Sequence, residues 1–304
     1  MSPRPALDRI IDMGTPDSPD VLARPARRPD QVLRYGPGPE HVADLRLPPW
    51  WAERGVAATD PGALVLLLHG GFWRAAYDRV HLGPMAAALA AEGYVVCTPE
   101  FRRVGQPGGG WPGTFDDIAA AVDTLPGLVA AAVAGVSGRP GGAGPRAARV
   151  VLAGHSAGGH LALWAAARHR LGPGPAWRLA AAPRWAGVVA LAPVSDLAAC
   201  HRAGLSNDAA GQLLGGGPGE QPGRYAATDP ASLIPLGLPV QIVHGTDDGN
   251  VPCEMSRRFA ARARAAGDEV VLTELAGCGH FDVIDPLSPA WPAVLDAFRR
   301  LKPG

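Results

Sequence analysis

Residues 149–161 read RVVLAGHSAGGHL, and this stretch decides the fold. The apolar run Arg149–Ala153 predicts a buried strand, and the Ala- and Leu-rich residues that follow predict a helix. The turn between them, Gly154-His155-Ser156-Ala157-Gly158, fits the pattern G-x-S-x-G. In a strand–turn–helix unit of this kind the turn strains the backbone of the serine and projects its hydroxyl above the sheet. Ser156 is therefore predicted to be a nucleophile.

Strand-like and helix-like segments alternate on both sides of this unit. Some strands are apolar throughout, such as Leu64-Val65-Leu66-Leu67-Leu68, which is typical of strands covered on both faces. The alternation predicts an α/β fold with a mostly parallel central sheet and helices on both faces. The predicted strands are 63–68, 94–99, 149–153, 187–192, 240–244 and 269–275, and the predicted helices lie near 82–92, 114–125, 157–169, 254–266 and 290–301.

The rest of the chain suggests one catalytic domain with a short leading segment. Residues 1–30 combine many charges with six prolines and predict a flexible arm, which leaves 31–304 for the domain. Gln31–Tyr35 and His41–Leu47 predict a hairpin, because a Gly-Pro-Gly-Pro turn separates them. Residues 197–237 have little periodicity and predict a small cap over the carboxyl end of the sheet.

The composition of the chain argues against several classes of binding partner. The 304 residues carry a net charge of zero, so no basic surplus is available for nucleic acid. No apolar stretch reaches 18 residues, and the first 30 lack the apolar region of a secretory signal, so we expect no membrane partner. The four cysteines are scattered, which favours a reducing cytoplasm and predicts no disulfide framework. No cofactor and no metal site are expected, and the oligomeric state is open.

A base and an acid are predicted from the order of the catalytic residues along the chain. With a G-x-S-x-G turn of this kind, the serine is followed by an Asp or Glu and then by a His. The strand 240–244 ends just before Asp247 and Asp248, and His280 is the only histidine beyond them. Asp248 is favoured as the acid, with Asp247 and Asp196 as open alternatives. A neutral imidazole at His280 would accept the serine proton while the carboxylate fixes its tautomer.

An oxyanion hole is predicted directly after the first long strand, in the sequence HGGFW at 69–73. A tetrahedral intermediate needs backbone N–H groups that converge on one oxygen, and glycines let the backbone approach the substrate. The expected donors are the amides of Gly71, Phe72 and Ala157. Trp73 is expected to contact the substrate, with packing beneath the loop as the alternative for both aromatic residues. His155, beside the nucleophile, is expected to point away from the site.

These motifs resemble the α/β-hydrolase superfamily, and within it the esterase and lipase group, especially arylformamidase-like (kynurenine formamidase-like) enzymes. In related sequences the acid falls at the fifth position of H-G-x-x-D, which here is Asp248. The loop lacks the third glycine of the HGGG found in hormone-sensitive-lipase-like sequences. The stretches that carry the resemblance are HGGFW at 69–73, GHSAGG at 154–159, HGTDDGNVP at 244–252 and GCGHFDVID at 277–285.

The resemblance implies an α/β-hydrolase fold and a serine hydrolase with Ser156, Asp248 and His280 as its triad. We expect it to cleave small carboxylic esters through an acyl-enzyme. The main alternative is an arylformamidase that hydrolyses N-formyl aryl amines such as N-formylkynurenine, because the same triad serves both reactions. A peptidase and a catalytically inactive binding protein on the same scaffold are further alternatives.

Overall fold

The computed structural model describes residues 9–12, 19–51, 63–137 and 150–301, and the side chains of 19–51, 63–134 and 150–301. Its described part contains one sheet of nine strands in the order β1-β9-β8-β7-β6-β4-β5-β3-β2. The strands are β1 (Arg9–Asp12), β2 (Gln31–Arg34), β3 (Val42–Arg46), β4 (Leu64–Leu68), β5 (Val95–Pro99), β6 (Val150–His155), β7 (Gly187–Leu191), β8 (Val240–Gly245) and β9 (Val270–Ala276).

The sheet is parallel except at one edge. All pairings from β1 through β9, β8, β7, β6 and β4 to β5 are parallel. Strand β3 runs antiparallel to β5, and β2 antiparallel to β3, so the predicted hairpin is confirmed. The mostly parallel α/β architecture predicted from the alternating pattern is confirmed as well. Parallel strands place their carboxyl ends along one edge, and the loops at that edge build the site described below.

The described residues form eight α-helices, and five of them cover the two faces of this sheet. The eight helices are α1 (Gly83–Ala91), α2 (Gly113–Ser137), α3 (Ala157–Ala166), α4 (Leu197–Arg202), α5 (Leu205–Leu214), α6 (Pro222–Thr228), α7 (Cys253–Ala265) and α8 (Trp291–Arg300). Helices α2, α3 and α7 pack on one face, while α1 and α8 pack on the other.

Strand β4 shows why the central strands are apolar throughout. Leu64, Leu66 and Leu68 belong to the hydrophobic core on one face, and Val65 and Leu67 to the core on the other. All five side chains are fully buried. Successive side chains of a strand point to opposite faces, so a strand covered on both sides needs apolar residues at every position.

Helix α2 is longer than the prediction of 114–125, because it continues through Pro126 and Gly127 to Ser137. Leu125, Val129 and Val133 recur every four residues and lie buried in the core, so tertiary packing outweighs the local cost of proline and glycine. The Gly-rich stretch that begins at residue 135 thus starts inside the helix, and its residues from 138 lie outside the described ones. By length and composition alone α2 could also cross a membrane.

Much of the segment predicted as a flexible arm packs against the domain. β1 extends the sheet beside β9, and Val21 is fully buried in the hydrophobic core on the face that α1 and α8 cover. The guanidinium of Arg24 forms an ion pair with Asp285, with Nη2 2.8 Å from Oδ2. Composition does not reveal this packing, because it depends on one buried valine, one ion pair and the backbone pairing of β1 with β9. The remaining parts of the arm, residues 1–8 and 13–18, lie outside the described residues.

The segment predicted as a cap forms three short helices, α4, α5 and α6, between β7 and β8. Gly204 and the residues from Ser206 to Asp208 have positive φ values that produce a tight left-handed turn at the start of α5. Left-handed backbone is costly for residues with a Cβ, so surrounding contacts must hold this turn. Arg74 supplies such contacts through its hydrogen bonds to Ser206.

The continuation of α2 can be tested at Gly127, which is exposed and where an added Cβ would meet no atom within 4 Å. We expect Gly127→Ala to raise the free energy of unfolding by about 0.5–1 kcal/mol, because alanine favours a helix interior. Val129→Ala, which removes buried methyl groups from the same helix, should lower it by about 2 kcal/mol. Urea unfolding measures both, and a destabilised Gly127→Ala would contradict a helix at this position.

Candidate active site

Ser156 stands on the turn between β6 and α3, as the sequence predicts. Its φ of 56° and ψ of −119° are strained for a residue with a side chain. The turn is tight because strand and helix are in close contact: a Cβ on Gly154 would overlap the carbonyl of Gly158, and one on Gly158 would overlap the carbonyl of Leu68. β6 also runs two residues further than predicted, since Gly154 and His155 still pair with β7. The strand therefore carries its register up to the serine.

His280 and Asp248 are joined across two loops at the same edge of the sheet. His280 Nδ1 donates to Asp248 Oδ2 over 2.6 Å, and both side chains are buried. The other carboxylate oxygen, Oδ1, accepts from the amides of Asn250 at 2.8 Å and Val251 at 2.7 Å. Because Nδ1 faces the carboxylate, Nε2 is the nitrogen of His280 that remains for a reacting group. Ser156 and His280 line the same cavity.

The carboxylate of Asp248 is held in its charged form. Burial alone would raise its pKa, but hydrogen bonds from His244 and His280 outweigh burial and lower the pKa well below its ordinary value. His244 Nε2 lies 3.1 Å from Oδ2, so two imidazoles flank one carboxylate oxygen. Asp248 is thus an anion throughout the physiological pH range and can hold His280 in a single tautomer.

The two alternative acids lie elsewhere. Asp247 is exposed, and its carboxylate accepts from the hydroxyl of Thr246 at 2.8 Å. Asp196 caps α4, where Oδ1 accepts from the amide of Ala199 at 2.6 Å. Of the three candidates, the structure brings only Asp248 to His280.

His155 does not point away from the site as expected from the sequence. Its Nε2 donates to the backbone carbonyl of His280 over 2.9 Å, and the two rings lie 4.5 Å apart. Burial, followed by the nearby His280, lowers the pKa of His155 well below its usual value, so the ring is neutral. Its contact with residue 280 spans 125 positions, so local sequence carries no signal for it. His155 supports the loop that carries His280.

The glycine loop after β4 is held by a buried pair, His69 and Glu100. His69 Nδ1 donates to the carbonyl of Gly70 over 2.9 Å, and Nε2 lies 2.8 Å from Glu100 Oε1. A trans peptide holds its C=O and N–H in opposite directions, so fixing the Gly70 carbonyl also fixes the direction of the Gly71 amide. The amide of Arg74 donates to the Gly71 carbonyl over 3.0 Å and closes the turn.

The predicted oxyanion-hole residues occupy two elements at the edge of the cavity. Gly71 and Phe72 line the cavity, with φ values of 99° and 48°. Ala157 follows Ser156 as the first residue of α3, where an amide has no partner within its own helix. The amino end of a helix also favours negative charge. The three amides thus belong to the two segments that flank the serine hydroxyl.

Trp73 does not line the cavity, and the expected contact with substrate is replaced by a packing role. The side chain is fully buried, and its indole N–H donates to His160 Nδ1 over 3.2 Å. His160 in turn donates from Nε2 to the carbonyl of Thr228 over 2.9 Å. The ring of Trp73 lies in the hydrophobic core, a tertiary contact that the sequence alone does not reveal. Phe72 is the aromatic residue at the cavity.

The cavity itself has a volume of about 140 Å³ and is bounded by several segments. Leu22 from the leading segment and Ser206 from the cap contribute to it, and neither was predicted as a site residue. His81 also lines it, where burial and the neighbouring His69 lower its pKa to about 4. The complete lining is Leu22, Gly71, Phe72, Arg74, Tyr77, His81, His155, Ser156, Ser206, Asn250, His280 and Phe281.

Comparison with known proteins places this chain in a family. The fold is that of the α/β hydrolases. Residues 56–262 match the family model BD-FAE, so the chain belongs to the BD-FAE family of α/β-hydrolase-type esterases. The arylformamidase-like subtype expected from the sequence is not what this match identifies.

A curated relative and several solved structures are similar to the chain. A probable isoprenylcysteine α-carbonyl methylesterase of Oryza sativa subsp. japonica is 26% identical over 270 residues, covering 84% of this chain, which spans only 60% of that protein. A truncated carbohydrate esterase from gut microbiota has a TM-score of 0.69 at 19% identity and covers 90% of this chain and 99% of its own. A thermophilic esterase of Thermogutta terrifontis with propionate bound has a TM-score of 0.62 at 23% identity, covering 88% and 90%. These structures confirm the fold.

The Glu100–His69 pair gives a pH-dependent stability that can be measured. Burial would raise the pKa of Glu100, but the His69 hydrogen bond and nearby cations lower it from 4.5 to about 2. Since the folded pKa is depressed, the stabilisation is complete above about pH 4.5 and is lost as the pH falls towards 2. The free-energy difference between wild type and Glu100→Gln should therefore shrink as the pH falls from 5 to 3 in urea unfolding. Glu92→Gln, at an exposed residue, is the control, and a difference that stays constant with pH would contradict the pairing.

Proposed function

We propose that this protein is a serine hydrolase that cleaves small carboxylic esters through an acyl-enzyme on Ser156. The observation that carries the proposal is the 2.6 Å hydrogen bond from His280 to the buried carboxylate of Asp248, beside a serine on a strained turn in the same cavity. Membership of an esterase family and likeness to esterase structures support the same reaction type.

In the proposed reaction, His280 Nε2 accepts the hydroxyl proton of Ser156 as the serine oxygen attacks the ester carbonyl. Asp248 stabilises the imidazolium that forms, and it stays ionised because its own pKa is depressed. The imidazolium then gives the proton to the alcohol as the ester C–O bond breaks. A water molecule repeats the sequence on the acyl-enzyme and releases the acid.

The tetrahedral intermediates place a negative charge on the former carbonyl oxygen. The amides of Gly71, Phe72 and Ala157 are the proposed donors to that oxygen. His69 positions one of these donors, because its hydrogen bond to the Gly70 carbonyl sets the direction of the Gly71 amide. A preorganised donor costs no reorganisation at the moment of reaction, which is why a rigid loop is useful here.

A formamidase that acts on N-formyl aryl amines is the second candidate. The small volume of the cavity and the position of Phe72 at its wall favour it, because formyl is the smallest acyl group. An amide requires its amine to be protonated before it leaves, and the imidazolium of His280 can supply that proton. Tyr77 and Phe281 would offer apolar surface to an aryl leaving group.

The proposal predicts that Ser156→Ala abolishes hydrolysis of 4-nitrophenyl acetate and butyrate. Loss of a triad nucleophile typically lowers kcat by about 10⁴–10⁶. A fluorophosphonate probe should label wild type covalently and leave Ser156→Ala unlabelled, with intact mass as the readout. Circular dichroism checks that the variant is folded, and wild-type turnover in a folded Ser156→Ala protein would refute the mechanism.

The adjacent aspartates provide a matched pair for the acid. Asp248→Asn should lower kcat by about 10⁴, since His280 loses the carboxylate that orients it. Asp247→Asn changes an exposed neighbour and should have little effect. The reverse order of effects would show that the wrong aspartate has been assigned.

The choice between ester and formamide rests on a comparison of kcat/KM. We expect phenyl acetate and butyrate to be better substrates than N-formylaniline and N-formylkynurenine. A preference for either formamide of ten-fold or more, about 1.4 kcal/mol in transition-state binding, would favour the second candidate. Efficient butyrate hydrolysis without detectable formamide cleavage would eliminate it.

A further inference from the structure

The catalytic cavity contains a guanidinium without a carboxylate partner. Arg74 is half-buried and lines the cavity together with Ser156 and His280. Its Nε lies 3.3 Å from Gln212 Oε1, its Nη1 lies 2.9 Å from Ser206 Oγ, and its Nη2 donates to the Ser206 carbonyl. All three acceptors are neutral. Throughout the part of the chain that the structure describes, no Asp or Glu oxygen lies within 4.0 Å of this guanidinium.

The surroundings of Arg74 leave its charge uncompensated. No carboxylate occurs among the described residues that line the cavity. His81 and His155 are neutral, because burial lowers the pKa of both rings. Asp248, the anion of the proposed triad, lies behind His280 and is hydrogen-bonded to the imidazoles of His244 and His280. Other arginines that bond only to carbonyls, such as Arg262, lie away from this cavity.

The position of Arg74 relative to the reacting groups is fixed. Its amide donates to the Gly71 carbonyl over 3.0 Å, and its backbone pairs with that of Val104. Three of the five N–H groups of the guanidinium are used, which leaves two for a ligand. A guanidinium recognises a carboxylate through parallel charge-assisted hydrogen bonds, and such bonds are stronger in a partly closed cavity than in open water.

We infer that Arg74 selects substrates that carry a carboxylate in addition to the ester bond. The inference rests on the proposed function and adds to it the class of substrate: an anionic ester rather than a neutral one. The carboxylate lies either on the acyl group or on the leaving group, and the same guanidinium would bind it in both cases. Arg74 is therefore a specificity-determining residue.

Two pairs of esters, matched except for the charge, test this inference. 3-Acetoxybenzoate and its methyl ester differ on the leaving-group side, while mono-(4-nitrophenyl) glutarate and 4-nitrophenyl pentanoate differ on the acyl side. In wild type, kcat/KM for the anionic member of one pair should exceed that of its neutral partner by ten-fold or more, and the pair that shows it locates the carboxylate. The preference should be carried by KM and should weaken in 0.5 M NaCl, because salt screens a partly exposed charge.

The variants separate charge recognition from the contact with the cap. Arg74→Gln should reduce the anionic-to-neutral ratio of kcat/KM by ten-fold or more, and Arg74→Lys should restore part of it. Ser206→Ala removes one hydrogen bond of Arg74 but leaves the charge, so the ratio should persist. Arg258→Gln, at an exposed arginine paired with Glu254, is the control for loss of a positive charge.

A binding measurement keeps the inference distinct from the proposed function. 3-Acetamidobenzoate and its methyl ester are titrated calorimetrically onto Ser156→Ala, and the anion should bind at least ten-fold more tightly in a manner that requires Arg74. The inference is overturned if wild type has equal kcat/KM for the charged and neutral members of both pairs. It is also overturned if Arg74→Gln leaves the anionic-to-neutral ratio of kcat/KM unchanged. Failure to hydrolyse any ester, together with the absence of fluorophosphonate labelling, overturns the proposed function instead.

Discussion

The close approach of β6 and α3 is the constraint on which the catalytic edge depends. Gly154 and Gly158 bring backbone against backbone, and Ser156 between them is held at a positive φ. Gly70 extends this contact to the neighbouring loop, since a Cβ there would lie 2.9 Å from the His155 carbonyl and 3.1 Å from the Ser156 Cβ. Two loops that follow adjacent parallel strands are thus locked together. The strain at the serine is stabilised by the packing of the whole central sheet.

The ionisable side chains at the same edge of the sheet are also held in defined charge states. Two carboxylates among them, Glu100 and Asp248, are buried, ionised and bound by imidazole. The imidazoles of His81 and His155 are kept neutral by burial. The residues that line the cavity thus include Arg74, and no carboxylate occurs among the described ones. In the proposed mechanism, negative charge that develops in this cavity would meet amides and a cation rather than competing acids.

Several parts of this arrangement could be predicted from the sequence because they depend on local patterns. The apolar runs located the central strands, and the turn at Ser156 carries its own signature in five residues. Asp248 and His280 follow from their order along the chain and from the strand that ends at Gly245. By contrast, the full length of helix α2 could not be predicted. The helix continues past Pro126, because the burial of Val129 and later residues outweighs the low helix propensity of proline.

Other site residues are set by long-range contacts and left no local signal. His155 meets a carbonyl 125 residues away, and Leu22 reaches the cavity from a segment whose composition suggested an unpacked arm. Trp73 illustrates the opposite error. A bulky aromatic residue beside a glycine loop suggests a substrate contact, but its indole is buried in the core and donates to His160. Whether such a side chain lies at the cavity or in the core depends on tertiary packing, which the residue type alone does not reveal.

The ion pair between Arg24 and Asp285 has a consequence for the order in which the molecule acquires its shape. Its partners are 261 residues apart, and β1 likewise pairs with β9 from near the other end of the described chain. On the ribosome, the segment that carries Leu22 emerges long before its anchor is synthesised. One wall of the cavity is therefore completed only after nearly the whole domain has been made. Until then, the nascent chain has its central strands but no enclosed site.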